Sequence, residues 1–256
     1  MARKKKRSKK DFSFVYVLIG VVFGAGLLGL GYLIGSSMDV EPVVETVVQV
    51  ENYDLISSAE IVIPAVDDAG KGVATILSIG VTEGIGRALV DIDTLLFWTD
   101  TQSSIRTARN VAANITGIDD SDYNLIYEIN ADAAVIGGPS AGAAITIATV
   151  AALEGFEIND HVMITGGINH DGTISPVSGI LEKATAAKDI GAEVFLVPLL
   201  QSQDVIYETR EYCELIGGFD FCTVEQYPVV VDLSSEADLE VIEVGTVEEA
   251  LEYFRV

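Results

Sequence analysis

Gly137-Gly138-Pro139-Ser140-Ala141-Gly142 runs without a charge into Ala143-Ala144-Ile145-Thr146-Ile147-Ala148-Thr149-Val150-Ala151-Ala152. The stretch decides the fold because it joins a sharp turn to an apolar helix. Glycine reaches backbone conformations that other residues avoid, and proline suits the first turn of a helix. Ser140 is therefore expected at a helix mouth, where unpaired N–H groups and the helix dipole favour a developing negative charge. The larger charge-free run, Ala133–Leu153, has 21 residues, so a membrane span is the competing reading. The Gly-Gly-Pro turn breaks that run, and the remaining helix falls short of the roughly 20 residues a span needs. A buried strand, a turn and a core helix fit better.

Lys183 follows 43 residues after Ser140, within Ser178-Gly-Ile-Leu-Glu-Lys-Ala-Thr-Ala-Ala187. A helix from about Ser178 to Gly191 places Ile180, Lys183, Ala184 and Ala187 on one face of small apolar side chains. A serine hydroxyl is a weak nucleophile until a base takes its proton. A lysine is that base only when uncharged. Its ordinary pKa is about 10.4, so work near neutral pH requires a drop of roughly three units, on the order of 4 kcal/mol. Burial among apolar groups supplies such a drop. The alternative for Lys183 is an amine that snorkels to water over an apolar stem. Lys188, beside Asp189, reads as a solvated surface charge.

Three motifs together carry a resemblance: Ser140 in Gly-Pro-Ser-Ala-Gly, Thr165 in Met-Ile-Thr-Gly-Gly-Ile, and Lys183 in Pro-Val-Ser-Gly-Ile-Leu-Glu-Lys-Ala-Thr-Ala-Ala. Their order and their intervals of 25 and 18 residues resemble the proteolytic domain of Lon proteases, from about Lys71 to Pro198 and again over Val244–Phe254. The nearest likeness is to small membrane-anchored archaeal Lon-like proteases without an ATPase. The resemblance implies an α/β (α+β) fold, Ser140 as nucleophile, Lys183 as general base, and Thr165 as the residue that orients the lysine. Gly138, Pro139 and Ala141 would form the serine turn and oxyanion region. It also implies peptide-bond hydrolysis and a homo-oligomeric ring. Two positions depart from the family pattern: Gly137 and Gly167 stand where the family usually has acidic residues.

The chain has 256 residues and a formal net charge of −24, unevenly distributed. Residues 1–10 hold seven of the fifteen Lys and Arg; beyond them stand eight basic residues against all 39 acidic ones. An acidic domain of this kind is not expected to bind nucleic acid. Phe12–Ile34 is 23 residues without a charge, preceded by the basic cluster Arg3–Lys10, and no basic residue follows before Lys71. A helix of that length crosses a bilayer, and the charge asymmetry puts the N-terminus in the cytoplasm and the domain outside. The rival is a cleaved signal peptide, with Gly35-Ser36-Ser37 as small residues for cleavage. The expected organisation is a basic tail (1–11), a transmembrane helix (12–35), a stalk (36–59) and the catalytic domain (60–256).

Within that domain, Glu60–Val66, Val73–Val81 and Ala88–Ile92 read as strands, with a hairpin turn at Gly84-Ile85-Gly86. Thr101–Asn114 reads as a helix with Ile105, Ala108, Val111 and Ala112 on one side. Asn124–Ile129, Val162–Ile168, Thr173–Val177 and Glu193–Pro198 read as strands, and Gln203–Ile216 as a helix. Thr246-Val-Glu-Glu249 is a capping box that opens a last helix. Strands and helices alternate, in keeping with α/β or α+β. Cys213 and Cys222, the only cysteines, flank Gly217-Gly218 and pair in an oxidising compartment or stay as two buried thiols. Asn114-Ile115-Thr116 is a glycosylation sequon.

No phosphate loop is present: Ala69-Gly70-Lys71-Gly72 lacks the upstream glycine and the hydroxyl residue after lysine. No ATP, metal or other cofactor is expected. His161 and His170 lie in turn regions without metal-ligand spacing. The expected function is a membrane-anchored, ATP-independent serine endopeptidase acting on unfolded or short polypeptides. The alternative is a catalytically idle scaffold or peptide-binding domain at the membrane surface.

Overall fold

The computed structural model describes residues 54–256 apart from 68–69, 92–95, 98, 131–134 and 137. The basic tail, the charge-free segment from Phe12 to Ile34, all but the end of the stalk, and Gly137 lie outside the described residues. Among the described residues no helix is long and apolar enough to cross a membrane.

In chain order the elements are β1 (Ser57–Val66), β2 (Gly72–Glu83), β3 (Ala88–Val90), β4 (Leu96–Phe97), α1 (Thr99–Thr116), β5 (Tyr123–Asn130), β6 (Val135–Ile136) and α2 (Gly142–Glu154). There follow β7 (Val162–Ile164), β8 (Gly167–Ile168), β9 (Ile174–Ser175), α3 (Ile180–Asp189), β10 (Val194–Pro198), β11 (Gln203–Ile216), β12 (Phe219–Asp232), α4 (Leu233–Ala237), β13 (Glu240–Val244) and α5 (Val247–Phe254). Helix and strand interleave, as the sequence leads one to expect.

Two sheets frame the core. The first has the order β1-β2-β5-β3 and is antiparallel except for β3, which runs parallel to β5. Its inner face follows the two-residue period of a half-buried strand: Ala59, Ile61 and Ile63 on β1 and Leu77, Ile79 and Val81 on β2 are buried. The second has the order β13-β10-β7 and is parallel. Helix α2 is buried all round from Gly142 to Ala152, and its two threonines turn their hydroxyls back to the helix, Thr146 to the Gly142 carbonyl at 2.8 Å and Thr149 to the Ile145 carbonyl at 2.6 Å. Within that core the Tyr127 hydroxyl meets Thr149 Oγ1 at 3.2 Å, and burial pushes its pKa up to about 12.

The final helix opens as its capping box predicts: Thr246 Oγ1 accepts from Glu249 N at 3.2 Å. The returning carboxylate takes Gly245 N, at 2.7 Å. Helix α1 buries Ile105, Ala108, Val111 and Ala112, as its periodicity requires.

Three expectations are corrected. The turn at Gly84-Ile85-Gly86 does not close a hairpin, because β2 pairs with β5 and β3 lies on the far side of β5. The chain crosses the end of β5, where Asn124 Oδ1 accepts from both Ile85 N and Arg87 N at 3.1 Å. That side chain satisfies donors that a hairpin partner would otherwise take. The expected strand Val162–Ile168 is two strands, broken at Thr165-Gly166 where the backbone turns to Ser140. Gln203–Ile216 is not a helix but a strand, paired in register with β12 from Gln203↔Asp232 to Ile216↔Phe219. Gly217 and Gly218, at φ 62° and 89°, make the tight turn. Cys213 and Cys222 face each other across this ribbon and form a disulfide.

Replacing Asn124 with Ala removes the shared acceptor for two backbone donors. Asn124→Ala is expected to lower the unfolding free energy by about 1–2 kcal/mol, measured by urea denaturation, with faster amide exchange at Ile85 and Arg87.

Candidate active site

The serine turn is built from the residues singled out in the sequence. Gly138 has φ 99° and ψ 149°, a conformation only glycine adopts without strain. Pro139, Ser140 and Ala141 form a 3₁₀ turn, with proline leading, and Gly142 N–H donates back to the Pro139 carbonyl. Ser140 thus stands in this turn just ahead of α2, and it is half-buried. Gly142 is required by close approach: a Cβ there would lie 2.8 Å from the backbone nitrogen of Ile168.

The break after β7 holds this turn. Gly166 N–H donates to the Ser140 carbonyl at 2.9 Å, and Ala143 N–H donates to the Gly166 carbonyl at 3.0 Å. Thr165 is fully buried; its N–H reaches the Leu196 carbonyl at 3.1 Å, and its hydroxyl donates to the Ser140 carbonyl at 3.4 Å. Thr165 therefore steadies the serine turn. No hydrogen bond joins it to Lys183 among the described residues, so the expected orientation of the lysine by Thr165 is absent from this conformation.

Lys183 lies on α3, whose buried residues are Ile180, Lys183, Ala184, Ala186 and Ala187. It is only 5% exposed, so it does not snorkel. Burial lowers its amine to a pKa of about 8, against an opposing pull from the neighbouring Glu182 carboxylate. Small side chains around it leave room for the stem and exclude water. Its Nζ donates to the Ser178 carbonyl at 2.9 Å. The amine does not hydrogen-bond Ser140 Oγ among the described residues.

Strand β7 relates the two helices. Successive strand residues face opposite ways. Val162 and Ile164 join the core around α2, whereas Met163 packs with Ile180, Ala184 and Ala187 of α3. The structure brings Ser140, Thr165 and Gly166 into direct contact and seats Lys183 on the helix across the same strand. Lys188 is exposed, as expected, and pairs at the surface with Asp238 Oδ2 at 3.3 Å.

One residue at the serine turn was not found by sequence reasoning. Asp100, in the first turn of α1, accepts from Gly138 N at 2.9 Å through one carboxylate oxygen and from Thr101 N at 2.9 Å through the other. An acid in a helix's first turn reads as a cap, and nothing local says that its second oxygen reaches a turn 38 residues away. The donors of Gly138, Gly142 and Ala143 are all taken in this conformation, so none of these three faces a substrate oxygen.

Residues 102–233 match the Lon protease (S16) C-terminal proteolytic domain. Lon protease 2 of Bacillus subtilis is 30% identical over 117 residues, covering 45% of this chain and 20% of that protein. The Lon protease of Phenylobacterium zucineum is 32% identical over 119 residues, covering 45% of the chain and 15% of its own length. The archaeal Lon protease of Methanothermobacter thermautotrophicus is 30% identical over 105 residues, covering 40% and 16%. The chain thus spans a fifth or less of the curated relatives it matches.

The buried amine has a consequence for stability. Its folded pKa of about 8 lies below the ordinary lysine value of 10.5, so the unfolded chain holds the extra proton between them. Stability from this group is present above the unfolded value, falls as pH drops towards about 8, and is absent below it. Lys183→Met is therefore expected to stabilise the protein near neutral pH by up to about 3 kcal/mol, with the gain shrinking as pH rises from about 8 to about 10.5. Chemical denaturation across that range checks it.

Proposed function

The chain belongs to the family of the Lon protease (S16) C-terminal proteolytic domain, a serine protease family using a Ser-Lys dyad, and from that premise we propose that it is a membrane-anchored endopeptidase that works without ATP. Ser140 is the nucleophile and Lys183 its general base. The observation that carries the reading is an almost fully buried lysine whose amine is lowered to about 8, on the helix across β7 from the serine turn. A neutral amine is the state that takes a proton from a hydroxyl.

In the proposed reaction Ser140 Oγ attacks the peptide carbonyl while its proton passes to Lys183 Nζ. The carbonyl oxygen becomes an oxyanion, and N–H groups at the serine turn stabilise it once the substrate rearranges the turn. Collapse of the intermediate breaks the C–N bond, and the lysine returns the proton to the leaving amine. Water, deprotonated by the same amine, then attacks the acyl carbon; the ester C–O bond breaks, the acid leaves, and the lysine hands the proton to Ser140 Oγ. The step from the present conformation is a swing of Lys183 Nζ from the Ser178 carbonyl to the hydroxyl.

Substrates would be unfolded or short polypeptides, since the 256 residues contain no phosphate loop to drive unfolding. The charge-free segment Phe12–Ile34 behind a basic cluster supports an anchor with its N-terminus in the cytoplasm. The Cys213–Cys222 disulfide supports an oxidising, extracytoplasmic compartment. A homo-oligomeric ring and a close kinship with archaeal Lon-like proteases are carried by the sequence resemblance.

The competing reading is a catalytically idle scaffold, favoured by the bond Lys183 makes to Ser178 instead of to Ser140.

Digestion of an unstructured protein such as casein separates the two. Ser140→Ala is expected to abolish cleavage, and Lys183→Ala to slow it by about 10²–10⁴-fold. Wild-type rates should climb as pH rises through about 8, because deprotonation creates the base. Absence of cleavage by well-folded wild type, or a fluorophosphonate that labels wild type and Lys183→Ala equally, would favour the scaffold, and cleavage that survives Ser140→Ala would remove Ser140 as the nucleophile. For the anchor, the full chain should stay in alkaline-washed membranes and a chain lacking residues 1–35 should not.

A further inference from the structure

Gln201 lies between β10 and β11 and is half-buried. Its side-chain amide makes both bonds that a strand partner would make: Val177 N–H donates to Oε1 at 2.8 Å, and Nε2 donates to the Val177 carbonyl at 2.7 Å. The next residue, Ser178, offers the carbonyl that accepts Lys183 Nζ. Val177 and Ser178 precede α3 and belong to no strand or helix, so no ladder of backbone bonds fixes them.

Gln201 is itself well anchored. Its N–H donates to the Pro198 carbonyl at the end of β10 at 3.2 Å. Ser202 N–H donates to Glu243 Oε1 at 2.9 Å, and the Ser202 carbonyl accepts from Leu233 N–H at 3.0 Å. The amide thus carries the rigidity of the parallel sheet to an otherwise loose segment beside the lysine.

We propose that Gln201 is a positioning residue for Lys183: by gripping Val177 on both polar atoms, it fixes the Ser178 carbonyl and with it the amine. The role rests on the Ser140–Lys183 reading of the site for its catalytic meaning. Glutamine suits it because one planar group supplies a donor and an acceptor together. Glutamate keeps the acceptor alone, methionine keeps the bulk with neither, and asparagine is a methylene shorter. With the grip lost, the Ser178 carbonyl wanders and water reaches the amine. The charge that bears on Lys183 is that of Glu182, its chain neighbour; the Glu243 carboxylate is turned to Ser202.

The test reads the lysine directly. The chain has eight lysines, few enough for ¹³Cε-lysine NMR, with Lys183 assigned by its loss in Lys183→Arg. Titration is done in a Ser140→Ala background, where no cleavage intervenes. Gln201→Met is expected to raise the Lys183 midpoint by about one unit towards the ordinary value as the amine becomes hydrated, with Gln201→Asn in between. In the Ser140-intact enzyme the same substitution should cut kcat by about tenfold with KM unchanged, and should move the rising limb of the pH profile upward. An unchanged Lys183 midpoint in Gln201→Met overturns the proposal, whereas a lowered one supports the grip and shows the ammonium losing the Ser178 carbonyl while water stays excluded. Gln201→Glu, which keeps size and the bond from Val177 N–H, stands in if Gln201→Met does not fold. If Ser140 labelling proves independent of Lys183, the Ser-Lys reading fails, while the midpoint still decides whether Gln201 governs the amine.

Discussion

A cation held away from water is the constraint around which this fold is organised. Lys183 is 5% exposed, and its nearest helix neighbours on the buried face are alanine and isoleucine. An ammonium in that setting is disfavoured, and the cost falls on the whole fold below the pKa of the group. What offsets it is local order: a carbonyl placed at 2.9 Å and a strand, β7, that packs on α3 through Met163. The loop after the same strand holds Thr165 and Gly166, whose backbone and hydroxyl bonds steady the serine turn. One three-residue strand and the loop after it therefore serve both halves of the site.

Much of this was legible because the signals are local. Gly138 and Pro139 announce a turn by what their backbones do, and Ile180, Lys183, Ala184 and Ala187 announce a helix face by spacing. The contributions of Asp100 and Gln201 are tertiary. An acid in a first helical turn and a glutamine after a strand are each unremarkable in sequence, and only the folded chain brings them to Gly138 and Val177. Gln203–Ile216 was misread for another reason. Beyond its root it is exposed on both faces, so neither a two-residue nor a 3.6-residue burial pattern is imposed on it. The Gly84-Ile85-Gly86 turn misled because a hairpin and a crossover use the same glycines, and the distant Asn124 decides between them.

The two positions that lack the family's usual acids differ in what can be said of them. Gly137 lies outside the described residues. At Gly167 a Cβ would fall 2.4 Å from Ser175 Oγ and 3.7 Å from the Pro139 carbonyl oxygen and Ser175 Cβ. Rotation of the Ser175 hydroxyl relieves the one close contact, so the backbone there does not by itself demand glycine. The carboxylate that does approach the serine turn comes from α1, through Asp100.

The ribbon of β11 and β12 has a consequence of reach. Fourteen residues of extended chain at about 3.4 Å each extend roughly 45 Å from Gln203 to Ile216. Leu215, Phe219 and Phe221 at its end are 73%, 75% and 59% exposed. Free-standing pairs of strands fray in water, and here the Cys213–Cys222 bond spares the outermost turn from that fraying. The root joins Gln201 by a single intervening residue. Ser202, pinned by Glu243 and by Leu233 N–H, thus stands as the fulcrum between that long arm and the residue whose side-chain amide grips Val177.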